Sequence, residues 1–158
     1  MTARTGRLAL CALILASWPT LAAAQPKRTV SIVPVQSLSF GLLVPGRQEA
    51  VAVTDVSRRA VVALSGSGPI DVALVLPSAM ETTTGDRIPL TFSTSDAALI
   101  TTSGTSLSQL DPRQVNRVQL GNSRTVLFIL GGTAVTSATT RPGRYTARVA
   151  MLINHPGT

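Results

Sequence analysis

The sequence is poor in the residues that most often carry covalent or metal chemistry, with one cysteine, one histidine and one tryptophan. Cys11 and Trp18 lie in an N-terminal stretch that is typical of an export signal. The exported chain would therefore have no disulfide, no thiolate nucleophile and no cysteine ligand for a metal. His155 stands beside Pro156, and the sequence predicts no metal or catalytic role for it. The stability of the exported chain should come from packing alone.

Long hydrophobic runs are absent too, apart from one near the N-terminus. Arg4 and Arg7 precede an apolar run over residues 8–17, and Ala24 ends a small-residue stretch that suits a signal peptidase. This run is shorter than the roughly 20 apolar residues that a membrane-spanning helix needs. The pattern predicts a signal peptide over residues 1–24. It also predicts export to the periplasm, then the cell surface or the medium, without a stable membrane anchor.

Aromatic residues make up only 3% of the chain and charged residues 13%. After residue 24 there are 12 basic and 7 acidic residues, and the basic ones are spread along the chain. A nucleic-acid-binding surface would need clustered cations together with aromatic rings on which bases stack. The composition therefore argues against nucleic acid as a partner. The aromatic residues after the signal are Phe40, Phe92, Phe128 and Tyr145.

Catalytic patterns are missing as well. The stretch nearest to a nucleophile elbow, residues 121–125, lacks the second glycine that the strained turn requires. The glycine-rich residues 66–68 lead into a β-rich run, so they offer no helix N-terminus to hold a phosphate. The sequence predicts no enzyme activity, no cofactor and no metal site. The acidic residues, which mostly neighbour turn residues and form no evident pair, are Glu49, Asp55, Asp71, Glu81, Asp86, Asp96 and Asp111.

What the sequence has in abundance is short β-rich runs between turn residues, and no stretch after residue 24 keeps a helical period over three turns. The nearly continuous apolar run over residues 125–130 favours a central strand, and residues 145–153 alternate cleanly. A short strand is expected to stop at Pro34, and the first core strand is expected over residues 38–44. Residues 93–104 are typical of a polar strand at the edge of a sandwich. The predicted fold class is all-β, with an antiparallel sandwich favoured over a closed barrel.

Several small motifs recur in a characteristic order. They are Leu38, Phe40 and Gly41 near the start, Gly66 and Gly68 before a strand, Gly131 and Gly132 after an apolar strand, and Gly143 and Tyr145 at the opening of the last strand. In order and spacing they resemble domain of unknown function 4402, a family of exported bacterial proteins related to spore coat U and pilin-type subunits. The resemblance covers residues 35–154. It implies an immunoglobulin-like β-sandwich that lacks its last strand.

In such pilin-like subunits, the groove left by the missing strand is filled first by a periplasmic chaperone and then by the N-terminal extension of a neighbouring subunit. The resemblance thus implies a non-enzymatic structural subunit of a surface fibre or coat that assembles by donor-strand complementation. Its partners would be neighbouring subunits, a periplasmic chaperone and an outer-membrane usher. Residues 25–34 would be the donor extension and residues 35–158 the sandwich domain. Val30 and Ile32 would be the donor residues, because they alternate with polar neighbours.

Four alternatives accompany these expectations. Val30 and Ile32 could instead form the domain's own edge strand, and Tyr145 could be a corner residue whose hydroxyl bonds nearby backbone. The second functional hypothesis is a self-complete periplasmic or secreted binding module for an anionic surface polymer, with Arg144 and Arg148 among its contacts. An enzyme ranks third, because no paired acid–base or nucleophile constellation is evident.

Overall fold

A computed structural model describes residues 29–101, 107–121 and 124–156. The predicted signal peptide, its cleavage site at Ala24 and residues 25–28 lie outside these ranges. The described ranges contain β-strands and no helix, and so no helix that is long and apolar enough to cross a membrane. Their strands are β1 (Ser31–Gln36), β2 (Gln48–Val51), β3 (Ala60–Ser65), β4 (Gly68–Val75), β5 (Ala79–Glu81), β6 (Arg87–Thr91), β7 (Ala97–Thr101), β8 (Leu107–Leu110), β9 (Asn116–Leu120), β10 (Thr125–Leu130), β11 (Gly132–Val135) and β12 (Ala150–Asn154).

Strands from distant parts of the chain combine into three sheets, and every ladder is antiparallel. The largest sheet has the order β1-β3-β10-β7-β8, the second β2-β11-β6-β5 and the third β12-β4-β9. The first and third sheets pack against each other, because buried residues of β3, β7 and β10 share one cluster with those of β4 and β9. The predicted antiparallel β-sandwich is thereby confirmed.

The main core lies between these two sheets. Leu64 and Phe128 project into it from β3 and β10, and Ile70 and Val72 from β4. All four side chains are almost completely buried. Burial of one such side chain stabilises a fold by roughly 1.5–3 kcal/mol, so this layer supplies much of the stability in a chain without disulfides.

β10 is the central strand of the first sheet, with β3 on one side and β7 on the other. Its inward-facing Phe128 contributes to the main core, while the opposite face places Ile129 in a separate cluster with Val53 and Ala98. Both faces of the strand are therefore covered. This explains why the sequence of β10 is a nearly continuous apolar run rather than an alternating one.

The chain passes from the first sheet to the second at Gly131, between β10 and β11. The backbone N–H of Gly131 donates to the carbonyl of Asp96 at 2.7 Å. A Cβ atom on this residue would overlap the carbonyl oxygen of Val51. Glycine is required here because backbone lies against backbone. The second core cluster lies beside this crossing and consists of Phe40, Val51, Met80, Ile88, Leu90 and Ala134.

The first strand differs from the expectation in its extent. β1 continues through Pro34 to Gln36, and residues 31–34 pair with β3. Pro34 is accommodated because β1 is an edge strand with one neighbour, and the register shifts between Pro34 and Gln36. The predicted domain boundary at residue 35 therefore falls inside β1, and residues 31–34 are part of the sandwich.

Three other segments also differ from the sequence-based prediction. Residues 38–44 are a loop rather than a core strand, because their apolar side chains pack into the second cluster without any ladder. Residues 97–101, inside the stretch expected to be a polar edge, form the interior strand β7, whose two alanines are fully buried. The last strand begins only at Ala150 and not at Tyr145.

Candidate functional site

A long groove runs between two stretches that are far apart in the sequence. One wall consists of residues 37–45, and the other is formed by residues between Thr140 and Met151. We call this feature the apolar groove, and its volume is about 1050 Å³. Its floor comes from the side chains of Val62, Leu74, Phe128 and Leu130.

Large apolar side chains stay exposed along the groove. Val149 on the second wall has 41% of its surface exposed, and Leu42 at the rim has 93%. On the neighbouring edge strand, Ile32 lies opposite the buried Leu64 and so faces the core side, yet it is 45% exposed. Apolar residues exposed together along a concave surface mark an interaction site.

Two unpaired strand edges accompany the groove. Within the described ranges β1 pairs only with β3, and β12 pairs only with β4. Val30, just before β1, and Met151 and Ile153 of β12 pack against the same main core. Residues at both free edges therefore contribute to the main core. Each edge presents backbone N–H and C=O groups that can pair with another strand.

The first wall is held by its own apolar side chains. Phe40 is buried in the second cluster, and Leu38 and Leu43 pack against it. The N–H of Ser39 donates to the carbonyl of Arg58 at 2.8 Å, which fixes the wall to the segment before β3. Gly41 follows with φ of 68°, a conformation that favours glycine. The next residue, Leu42, lies in solvent at the rim.

A buried threonine, Thr136, fixes the far end of the same wall. Its hydroxyl lies 2.6 Å from the carbonyl oxygen of Val44 and 2.7 Å from that of Arg47, and it accepts the N–H of Arg47 at 3.0 Å. A hydroxyl has one proton, so it donates to one of these carbonyls at a time. The contact ties the wall to the residue that follows β11.

Replacing this threonine by valine, Thr136→Val, is expected to lower the free energy of unfolding by about 1 kcal/mol. Valine keeps the shape but removes the hydrogen bonds of the hydroxyl, while the backbone hydrogen bonds from Arg47 N–H to Val44 and from Thr136 N–H to Arg47 remain. Urea unfolding of the variant measures the loss. Thr54→Val is the matched control, because Thr54 is exposed. Equal stability of the two variants would show that the Thr136 hydroxyl does not anchor the wall.

The second wall is fixed at Tyr145 and Thr146. Tyr145 packs against the second cluster, and its hydroxyl donates to the carbonyl of Arg141 at 2.8 Å. This is the backbone hydrogen bond expected of a corner tyrosine. Thr146 exchanges two backbone hydrogen bonds with Glu81, at 2.8 and 3.0 Å. Residues 147–149, which follow, belong to no strand of the described chain.

The structure brings only some of the motif residues to the groove. Gly66 and Gly68 form the turn between β3 and β4, where a Cβ on Gly66 would lie 2.9 Å from the carbonyl oxygen of Thr29. A Cβ on Gly132 would lie 2.8 Å from a ring carbon of Phe92. Gly66 and Gly132, like Gly131, permit close packing but do not themselves line the groove. The motif residues that line the groove are Leu38, Phe40, Gly41, Gly143 and Tyr145.

Sequence reasoning did not single out the floor of the groove. Val62 and Leu74 lie in ordinary β-rich runs, and Val149 is one member of a long alternation. The alternation places Val149 on the same face as Met151, which is a correct sign that it points inward. Its exposure depends on the lack of a covering strand, and a pattern within one segment contains no such information.

Asp55, Asp71 and Asp111 each pair with an arginine, and each has a lowered pKa. Hydrogen bonds from the hydroxyl of Ser57 and the guanidinium of Arg58 lower the pKa of Asp55. Arg117 lowers the pKa of Asp71 in the same way. Carboxylates with lowered pKa values are poor general acids near pH 7. In the ranges that the structure describes, no three His, Cys, Asp or Glu side chains come together as a metal site.

Comparisons with known proteins identify no relative. No family model matches the chain, and no curated protein matches its sequence. The family resemblance seen in the motifs therefore stays a prediction.

Proposed function

We propose that this protein is a non-enzymatic structural subunit whose sandwich is completed by a β-strand from a neighbouring subunit. The observation that carries the proposal is the apolar groove, which is lined by Met151 of the edge strand β12 and by Val62 of β3, the strand that pairs with β1. The assembly would be a surface fibre or coat of an exported bacterial protein. A periplasmic chaperone and an outer-membrane usher would protect the groove before subunits meet.

A β-strand fits this surface better than a small molecule does. Ligand pockets usually measure roughly 300–1,000 Å³, and the apolar groove is at the upper limit of that range. The edge of β12 offers backbone hydrogen bonds along one side, and the floor presents Val62, Leu74 and Phe128 to the side chains of an added strand. In this mode of recognition the backbone supplies affinity, while the side-chain pockets supply specificity.

The proposed donor is the N-terminal segment of a second copy, residues 25–34, with Val30 and Ile32 as its apolar side chains. In the single chain, residues 31–34 pair with β3, so donation requires β1 to leave its own sheet. β1 is suited to this because it is an edge strand with exposed side chains over residues 31–35. Insertion into a neighbour would bury both Ile32 and Val149, which compensates for the lost ladder.

The proposal is tested by expressing the full chain in a bacterial periplasm and running unboiled and boiled samples on detergent gels. Strand-donated polymers should give a ladder that collapses on boiling, because each subunit then holds a complete core. Light scattering of the native protein should show the same series of sizes. A soluble monomer in both assays, with a cooperative thermal unfolding transition, would contradict the proposal.

Val149→Asp is expected to abolish the ladder while leaving the monomer folded. Val149 lines the groove and is 41% exposed, so the aspartate stays solvated in the free subunit but would be buried without a partner under a donor strand. Val115→Asp is the matched control, since Val115 is 67% exposed outside the groove. The fraction of protein in the ladder is the measured quantity. A Val149→Asp variant that still polymerises would exclude the groove as the acceptor.

A mixture of two variants, one unable to donate its strand and one unable to accept a strand, tests the donor and the acceptor separately. An Ile32→Asp chain should accept but not donate, and a Val149→Asp chain should donate but not accept. Each alone should be monomeric, and an equimolar mixture should form dimers and nothing larger. If Ile32→Asp alone still forms a ladder, the donor lies elsewhere and only the acceptor half of the proposal stands.

A further inference from the structure

A second concave surface lies behind the wall formed by residues 142–148. We call it the basic cleft, and its volume is about 1060 Å³. Most of the wall lines both surfaces, including Arg144 and Thr146. Tyr145 and Val149 line only the apolar groove, whereas Arg148 lines only the basic cleft. The side chains opposite Arg148 come from the region between Pro77 and Arg87.

The basic cleft has a surplus of positive charge. Arg87, Arg144 and Arg148 line it, and the one carboxylate among its lining residues is that of Glu81. Glu81 pairs with Arg87 at 2.9 Å. Within the described part of the chain, the guanidinium groups of Arg144 and Arg148 form no ion pair with any carboxylate. Two exposed cations on one wall are thus available to an anionic ligand.

Hydroxyl groups complete the lining. The loop after β5 contributes Thr82, Thr83 and Thr84, with Ser78 and Thr146 beside them. Hydrogen bonds hold the loop in place: the hydroxyls of Thr82 and Thr84 lie 2.9 Å apart, and the Thr82 hydroxyl accepts the N–H of Asp86 at 3.0 Å. No aromatic residue lines the cleft, so it lacks the stacking surface that nucleic-acid bases use.

We propose that the basic cleft binds an acidic polysaccharide, with Arg144 and Arg148 contacting its carboxylate or sulfate groups and the threonine hydroxyls contacting its sugar hydroxyls. Arginine recognises such planar or tetrahedral anions with paired hydrogen bonds. A cleft of this volume is too large for one inorganic anion and accommodates several sugar units. The proposed ligand differs from a donated strand, and Arg148 and the threonines of the loop after β5 do not line the apolar groove.

Binding is tested with three polymers on the full-length protein: polygalacturonate for carboxylates, dextran sulfate for sulfates and neutral dextran as the uncharged reference. We expect measurable affinity for at least one acidic polymer and none for neutral dextran. The affinity should fall as the ionic strength rises from about 0.05 to about 0.5 M. The double variant Arg144→Gln/Arg148→Gln should bind at least about tenfold more weakly, since two charge-assisted contacts are lost.

Arg47→Gln/Arg124→Gln is the matched control, because it removes the same charge from two exposed arginines outside the cleft. This control should retain most of the affinity, and a thermal melt should show that both variants are folded. Equal losses in the two double variants would overturn the proposal, since binding would then follow net charge alone. Failure of the wild-type protein to bind either acidic polymer, or equal binding of neutral dextran, would overturn it as well.

Discussion

Adding a single methyl group at the crossing between sheets, by Gly131→Ala, is expected to lower the free energy of unfolding by about 3 kcal/mol. The methyl carbon would overlap the carbonyl oxygen of Val51. That oxygen cannot move aside freely, because Val51 is paired with Gly132 in the ladder between β2 and β11. Relief therefore requires a shift of the backbone in two strands. The side chain gains no compensating burial, because the site is already filled.

The expected change in melting temperature is a fall of about 10 °C in a domain of this size. Gly121→Ala is the matched control: its methyl group would come no nearer than 3.7 Å to the side chain of Arg124, an ordinary contact, and no neighbour need shift. We expect its stability to stay within about 0.5 kcal/mol of wild type. A Gly131→Ala protein that melts like Gly121→Ala would show that the β10–β11 crossing has room to relax.

Truncation of a core leucine, Leu64→Ala, is expected to lower the free energy of unfolding by about 3 kcal/mol. Leu64 has no exposed surface and lies in the main core between β3 and the facing sheet. Its removal takes away buried methylene groups and leaves a cavity that the surrounding strands cannot close completely. Chemical denaturation of the monomer measures this loss directly.

The same substitution at Leu42 provides the comparison. Leu42 is 93% exposed at the rim of the apolar groove, so Leu42→Ala should change the stability of the monomer by less than about 0.5 kcal/mol. The two variants differ only in where the leucine lies. Similar losses at both positions would contradict the assignment of the main core.

The sequence predicts best those strands that are covered either on both faces or on one face along their whole length. Residues 125–130 are apolar on both faces because β10 is covered on both faces. Ile70 and Val72 alternate with less buried residues, as expected of a strand with one face on the core. In these cases the local pattern and the tertiary environment agree, so the class of the fold could be predicted from the pattern alone.

The prediction failed where packing overrides the pattern. Residues 38–44 have the composition of a strand, but Gly41 turns the chain and Phe40 is buried as a side chain of a loop. The sequence did not indicate β7 as an interior strand, because its fully buried residues are two alanines near serines and threonines, which give a weak hydrophobic signal. Small side chains are buried there because β10 lies directly alongside.

The candidate site was predictable only in its parts. Leu38, Phe40 and Tyr145 were singled out and do line the apolar groove. The groove itself depends on two walls about a hundred residues apart and on the absence of a strand between them, and neither is a property of local sequence. Arg144 and Arg148 of the basic cleft were likewise named from the sequence, whereas their position opposite the loop of Thr82, Thr83 and Thr84 was not predicted.

The position of β10 has a consequence for how the chain must be made. β3 ends at Ser65 and β7 at Thr101, yet both depend on β10, which begins at Thr125. At a synthesis rate of about 5–20 residues per second, the first of these strands waits several seconds for its central partner. During that interval its apolar face is open to other nascent chains. The order of synthesis therefore sets an interval in which β3 and β7 can aggregate, and this interval ends when β10 pairs with both strands.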